Sequence, residues 1–304
     1  MAMELNEIEA FVTITRAGGF TRAATVLCIS QPAISRRIEL LERELGAPLF
    51  ERLPAGVRLT EAGQAFLPYA QQVLAAMHDG AAAVRALEEE EQGSITLALV
   101  GTLASTRLTG QLQAFRESYP RVRLLLRTAR SAEVSDLVQQ GDALLGLRYF
   151  ADARTEILCS LLVMHEPLQI VSAAHSRLLG GNPTEPLALQ GIPWINFPTG
   201  MGSSGEPFAR LLAQQLLRHG LEDAEMITID SLTAQKRLIE ADFGIGLLPA
   251  SSIEEELRLG TMQVLPIAAL QTTVPVMLIY RCQGYLSRAA RRLRERLTSQ
   301  TMDL

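Results

Sequence analysis

Apolar residues recur at helical spacing from the amino terminus onward. Leu5, Ile8, Phe11 and Val12, with Thr15, predict a first helix closed by Gly18 and Gly19. Ala23, Ala24 and Leu27 predict a short second helix with Thr21 as its cap. In a third helix, Ile34, Ile38, Leu41 and Leu45 form one stripe, while Gln31, Ser35 and Arg36 fall on another face. Ser30 suits its N-cap, Pro32 lies where a missing amide hydrogen costs little, and Gly46 stops it. Two short extended runs around Pro54, Ala55 and Gly56 then predict a β-hairpin. Three helices and a hairpin of this kind make a winged helix-turn-helix.

From Phe66 the positions 66, 70, 73, 77, 80, 84 and 87 alternate steps of four and three and hold Phe, Ala, Val, Met, Gly, Val and Leu. This is a heptad stripe on a long helix. After Ser94 the pattern changes to strand, helix, strand in repetition. Strands are expected at 95–100, 122–127, 143–147, 167–172, 193–197, 225–229, 245–249 and 275–280, and this alternation predicts parallel sheet covered on both faces, in two units joined by crossover strands with a cleft between them. The expected domains are 1–60 for the winged module, 61–92 for a linker helix and 93–304 for a two-subdomain α/β unit. Subdomain I takes 93–165 and 267–304, and subdomain II takes 166–266.

The chemistry of the third helix suits base reading. Gln31 can present a donor-acceptor pair to adenine, Arg36 a fork to guanine or phosphate, and Ser35 a short contact to either. With Thr21, Ser30, Pro32, Arg37, and Arg52 and Arg58 of the hairpin, these form the expected DNA surface. An amphipathic helix rimmed by arginines also fits a plain solvated face. Through Phe66, seven arginines (16, 22, 36, 37, 43, 52, 58) stand against eight glutamates (4, 7, 9, 39, 42, 44, 51, 61), so local placement rather than bulk charge must hold phosphates.

In open α/β sheets, ligands bind beyond the carboxyl ends of strands. Those places hold Thr102, Leu103, Thr128, Ser131 and Arg148 in the first half. In the second they hold Thr199, Gly200, Ser203, Ser204, Ser231 and Gly246. Hydroxyls, amides and one guanidinium suit a small organic carboxylate, with Tyr149 and Phe197 as apolar walls. Each hydroxyl taken singly is more often a helix cap, and Arg148 fits a surface ion pair as well as a ligand contact; it is their convergence that points to a site.

Composition changes the picture mainly by exclusion. At 304 residues, 20% charged and 48% hydrophobic, the chain is an ordinary globular protein, and a formal charge of -5 argues against a general nucleic-acid coat or a ligand of anionic membranes. Glu4, Glu7 and Glu9 interrupt any export leader, so a cytoplasmic location is expected. Cys28, Cys159 and Cys282 have no zinc or C-x-x-C spacing and are expected to be buried thiols. His78, His165, His175 and His219 are scattered, no phosphate loop or nucleophile elbow occurs, and Gly244 and Gly246 lack a third glycine. Catalysis, metal and cofactor are therefore not expected. The alternative is a cytoplasmic ligand-binding or enzymatic α/β protein whose helical amino-terminal module does not bind DNA.

The run Ala23-Ala-x-x-Leu-x-x-Ser-Gln-Pro-Ala-Ile-Ser35 is followed by Leu40-Leu-Glu-x-x-Leu-Gly46, Leu49-Phe-x-Arg52 and Leu59-Thr-x-x-Gly63. In that order it resembles the LysR-type transcriptional regulators. The resemblance implies DNA contacts at Gln31, Pro32, Ser35, Arg36 and Arg52, and a second domain similar to periplasmic binding proteins that takes a small-molecule effector. It further implies a linker helix paired between two subunits, dimers that pair into tetramers, an interrupted palindrome as operator, and RNA polymerase as a further partner. Two departures stand out. Leu53-Pro54-Ala55 replaces a wing tip that is usually polar, and Leu144 stands where relatives commonly carry Asp.

Overall fold

The structure is a computed structural model that describes residues 3–53, 56–88, 93–104, 106–198 and 207–299. It divides into two compact units, residues 1–88 with 139–141, and the remainder.

In the first unit, helix α1 (Leu5–Ala17) buries Ile8, Phe11, Val12 and Ile14. Glu4 and Glu7 close a capping box at its start, and Gly18 ends it in the left-handed region at φ 67°. Helix α2 spans Phe20–Val26 with Gly19 as its N-cap, so Thr21 lies inside the first turn and is not the cap. Helix α3 (Gln31–Leu45) is capped by the Ser30 hydroxyl, which accepts from the Ala33 amide at 3.3 Å, and it buries Ile34, Ile38 and Leu41. Strands β1 (Phe50–Leu53) and β2 (Gly56–Leu59) form the antiparallel wing, in which Phe50 pairs with Leu59. Glu42 of α3 anchors it by accepting the Leu49 and Phe50 amides at 2.7 and 3.3 Å. Phe11 lies 5.3 Å from both Phe50 and Phe66, so one ring ties α1, the wing and the next helix together.

The Leu59-Thr-x-x-Gly63 motif has a packing explanation. The Thr60 hydroxyl donates to the Pro48 carbonyl at 2.6 Å and accepts the Gly63 amide at 3.0 Å, capping helix α4 (Glu61–Glu88). A Cβ on Gly63 would sit 2.2 Å from the Leu49 carbonyl oxygen, so only glycine lets the helix approach the wing. Along α4 the heptad stripe divides in two. Ala70 is buried and Phe66 packs into the core, whereas Val73, Met77, Gly80 and Val84 face solvent. The side chain at Leu87 lies outside the described residues.

The second unit holds a nine-stranded sheet of order β4-β3-β5-β11-β6-β9-β7-β8, with β10 paired to β6. Its strands are β3 (Gly93–Val100), β4 (Val122–Ala129), β5 (Leu145–Tyr149), β6 (Leu158–Ala173), β7 (Trp194–Asn196), β8 (Met226–Thr228), β9 (Ile245–Pro249), β10 (Met262–Val264) and β11 (Thr272–Arg281). The expected parallel pairing holds in two groups, β4-β3-β5 and β8-β7-β9. Between them β11 and β6 run antiparallel to each other and to their neighbours, as the crossover ribbon that joins the halves. Expectation stopped β6 short, at Pro167, because His165, Glu166 and Pro167 interrupt the apolar run that precedes them. At the Leu144 position the amide donates to the Thr96 carbonyl at 3.0 Å and the side chain packs against the core. Helices α5 (Thr106–Ser118), α6 (Ser131–Gln139), α7 (Pro207–Arg218), α8 (Leu232–Glu240), α9 (Glu254–Leu259) and α10 (Arg288–Thr298) complete the unit.

The cysteines depart from expectation. Cys159 and Cys282 are joined in a disulfide, and Cys28 is exposed, so none is a buried thiol. Spacing of 123 residues hid the pair, which only the β6–β11 register brings together.

Candidate nucleic-acid interface and ligand cavity

The cap at Ser30 fixes where α3 begins, and its start presents Gln31, Pro32, Ser35 and Arg36 on one surface. Gln31 Nε2 donates to Ser35 Oγ one turn along the helix at 3.1 Å. Thr21, Ser30, Gln31, Pro32 and Arg36 are exposed, while Ser35 and Arg37 are half-buried. The same surface continues through Glu39, Leu40 and Arg43, which sequence reasoning missed. The signal was present: 31, 35 and 39, like 36, 40 and 43, step by three or four. Arg58 is exposed on the wing, where its guanidinium bonds Glu51 of the paired strand at 2.6 Å. The side chain of Arg52 and residues 54 and 55 lie outside the described residues.

A cavity of about 300 Å³ opens at the carboxyl ends of β3, β4, β7 and β8, where strand-end reasoning placed it. Thr102, Thr128 and Phe197 line it as expected, joined by Arg130, Glu133 and Asp230. Thr102 is fixed by a buried hydrogen bond of 2.9 Å with the Tyr149 hydroxyl. Ser131, beside the cavity in sequence, is buried and its hydroxyl has no partner among the described residues. Leu103 instead lines a separate cavity of about 50 Å³.

Three other expected contacts are used elsewhere. Arg148 is turned into an ionic cluster, bonding Asp152 and Ser135, and does not line the cavity. Arg154 donates to Asp152 through its amide and Nε, at 2.8 and 3.0 Å, and to Asp136 at 2.8 Å. Burial alone would raise the Asp152 carboxyl, but hydrogen bonds from Arg154 and Ser135 and the Arg154 charge outweigh it and hold the pKa well below the usual carboxylate range. Ser231 caps α8, accepting from Ala234 at 3.3 Å. Gly246 is a packing glycine, since a Cβ there would lie 2.7 Å from Ile239 Cδ1. Thr199, Gly200, Ser203 and Ser204 lie outside the described residues. Among the described residues no helix is long and apolar enough to cross a membrane, and no cluster of three or more His, Cys, Asp or Glu could hold a metal ion.

A winged helix-turn-helix followed by a two-lobed α/β ligand domain defines a DNA-binding regulator that answers to a small molecule. Residues 5–64 match the bacterial regulatory helix-turn-helix protein of the lysR family, and residues 88–301 match the LysR substrate binding domain. The chain belongs to the LysR family of transcriptional regulators. It is 31% identical over 277 residues to the HTH-type transcriptional regulator CfxR of Cupriavidus necator, covering 88% of this chain and 82% of that one. It is 30% identical over 280 residues to TfdS of Cupriavidus pinatubonensis, covering 91% and 92%. Among solved structures, the LysR family regulator CbnR superposes with a TM-score of 0.66 at 24% identity over 99% of this chain and 100% of that one. CbnR bound to its target DNA gives 0.56 at 24% identity, covering 97% and 98%. The latter two show the shared fold.

Proposed function

We propose that the effector is a small organic carboxylate bound in the cavity at the carboxyl ends of β3 and β4. Arg130 is the cation lining that cavity among the described residues, and Thr102 and Thr128 supply hydroxyls beside it. This reading moves the guanidinium role from Arg148 to Arg130. Glu133 and Asp230 share the wall, which favours a carboxylate that also carries an amine over a plain one. Gln31, Ser35 and Arg36 read base edges, and Thr21, Ser30, Pro32 and Arg37 support the phosphate side. The exposed stripe Val73, Met77 and Val84 pairs two subunits, so the operator is an interrupted palindrome and dimers assemble further into tetramers. The protein acts in the cytoplasm, engages RNA polymerase at the promoter and carries out no catalysis.

The observation that carries the reading is the convergence of Arg130, Thr102 and Thr128 on one cavity of ligand size. A thermal-shift screen of amino acids and small carboxylates tests it: a ligand should raise Tm with concentration in the wild type and do so much less in Arg130→Ala. An equal response in both removes Arg130 from the site.

A further inference from the structure

We propose that Cys159 and Cys282 form a reversible thiol–disulfide site, set by low-molecular-weight thiols and disulfides, whose state the regulator reads out at DNA. The inference rests on the regulator reading. A DNA-binding regulator shares a compartment in which thiols are kept reduced, and disulfides there are typically transient or regulatory.

The placement supports exchange over a structural role. Both cysteines are only half-buried, and the bond lies at the end of the ribbon, outside the apolar core. The ribbon does not depend on it. From Thr272↔Leu168 to Arg281↔Leu158 the two strands are paired by backbone, and the Cys282 amide still donates to the Ile157 carbonyl at 2.9 Å. Once reduced, the Cys282 thiol has the Thr155 carbonyl 3.9 Å away as an acceptor. Reduction is balanced. One thiolate attacks a sulfur of the bond, giving a mixed disulfide and a protein thiolate that takes a proton. A second thiolate then displaces the remaining protein sulfur and leaves as the small-molecule disulfide, so two electrons pass from two thiols to the pair.

Register gives the bond leverage. Midway along β11, Val276 pairs with Tyr149, whose hydroxyl holds Thr102 of the effector cavity. Toward its carboxyl end Ile279 pairs with Gly146, which pairs with Ala98 of β3, so Cys159 and Cys282 lie level with Leu97 and Ile95 in the first half of β3. β3 is the first strand of this unit. β11 thus links the strand that carries Tyr149 to the level of the first half of β3, and the disulfide pins its carboxyl end.

The test uses the full chain carrying Cys28→Ser, equilibrated across ratios of reduced to oxidised glutathione. Alkylation followed by mass spectrometry counts thiols, and fluorescence anisotropy measures affinity for the upstream duplex. The proposal predicts a reversible change from no free thiol to two, and an affinity that changes about fivefold or more between the end states. Cys159→Ser and Cys282→Ser should each remove the glutathione dependence. A thiol count that does not move overturns the proposal, as does an affinity that stays within twofold while the count changes. A chain that binds no duplex in either state fails the regulator reading instead, and the thiol count then reports on the exchange site by itself.

Discussion

Replacing Met77 with aspartate should dissociate the protein's subunits. On α4, Val73, Met77 and Val84 are 45%, 48% and 67% exposed, an unusual row of apolar side chains on one face of a helix. Full burial of such a side chain is worth about 1.5–3 kcal/mol, so covering the exposed parts of these three contributes about 3 kcal/mol per subunit and about 6 kcal/mol for a pair. Met77→Asp removes about 1 kcal/mol of that burial from each subunit and faces two carboxylates together in a poorly hydrated seam. The dimer constant should weaken by about a hundredfold or more, because each 1.4 kcal/mol is tenfold. Sedimentation equilibrium over a range of concentrations reads this directly, with Met77→Leu as the control that keeps the apolar surface. If Met77→Asp stayed as associated as the wild type while retaining its melting temperature, the stripe would not be the seam.

Three further outcomes follow from the packing. Gly63→Ala should destabilise the amino-terminal unit by about 3 kcal/mol or more, because its Cβ would meet the Leu49 carbonyl, a backbone atom that cannot step aside; urea unfolding measures it, and a loss under 1 kcal/mol would contradict the geometry. Asp152→Asn should cost about 3–5 kcal/mol near pH 7, since Arg148 and Arg154 lose their buried counter-charge. Because the folded carboxyl titrates below its unfolded value of about 3.9, its contribution is complete above about pH 5 and is lost as the pH falls toward the folded value. The Tm gap between wild type and Asp152→Asn should therefore narrow on acidification from pH 5, and a constant gap would refute the assignment. Thr102→Val should weaken effector binding by calorimetry about tenfold, as it removes the buried hydrogen bond to Tyr149 that positions this wall and takes away a cavity hydroxyl, and unchanged affinity would count against the cavity.

The amino-terminal half was legible because its signals are local. Ser30, Pro32 and Gly46 mark a helix within their own few residues, and each does so in the structure. Thr21 misled because glycine caps α2 from Gly19, and a preferred cap residue also tolerates the first turn. The effector domain was legible in its strand ends, which placed Thr102, Thr128 and Phe197 on one cavity. Arg148 shows the other use the sequence allowed it, an ion pair: Asp152, four residues on, and Ser135 from another element together hold the guanidinium. Crossover strands were expected, but their register and the disulfide it sets up were hidden, since both depend on pairing between segments more than a hundred residues apart.

The central claim is that the exposed start of α3 reads base edges. A mobility-shift titration of the wild type and Arg36→Ala on the chain's own upstream region tests it at fixed salt. The wild type should bind one interrupted palindrome far more tightly than a scrambled duplex, and Arg36→Ala should lose about 1–3 kcal/mol on the palindrome alone. Equal affinity of the two proteins for that site, or equal binding of site and scramble by the wild type, would contradict it.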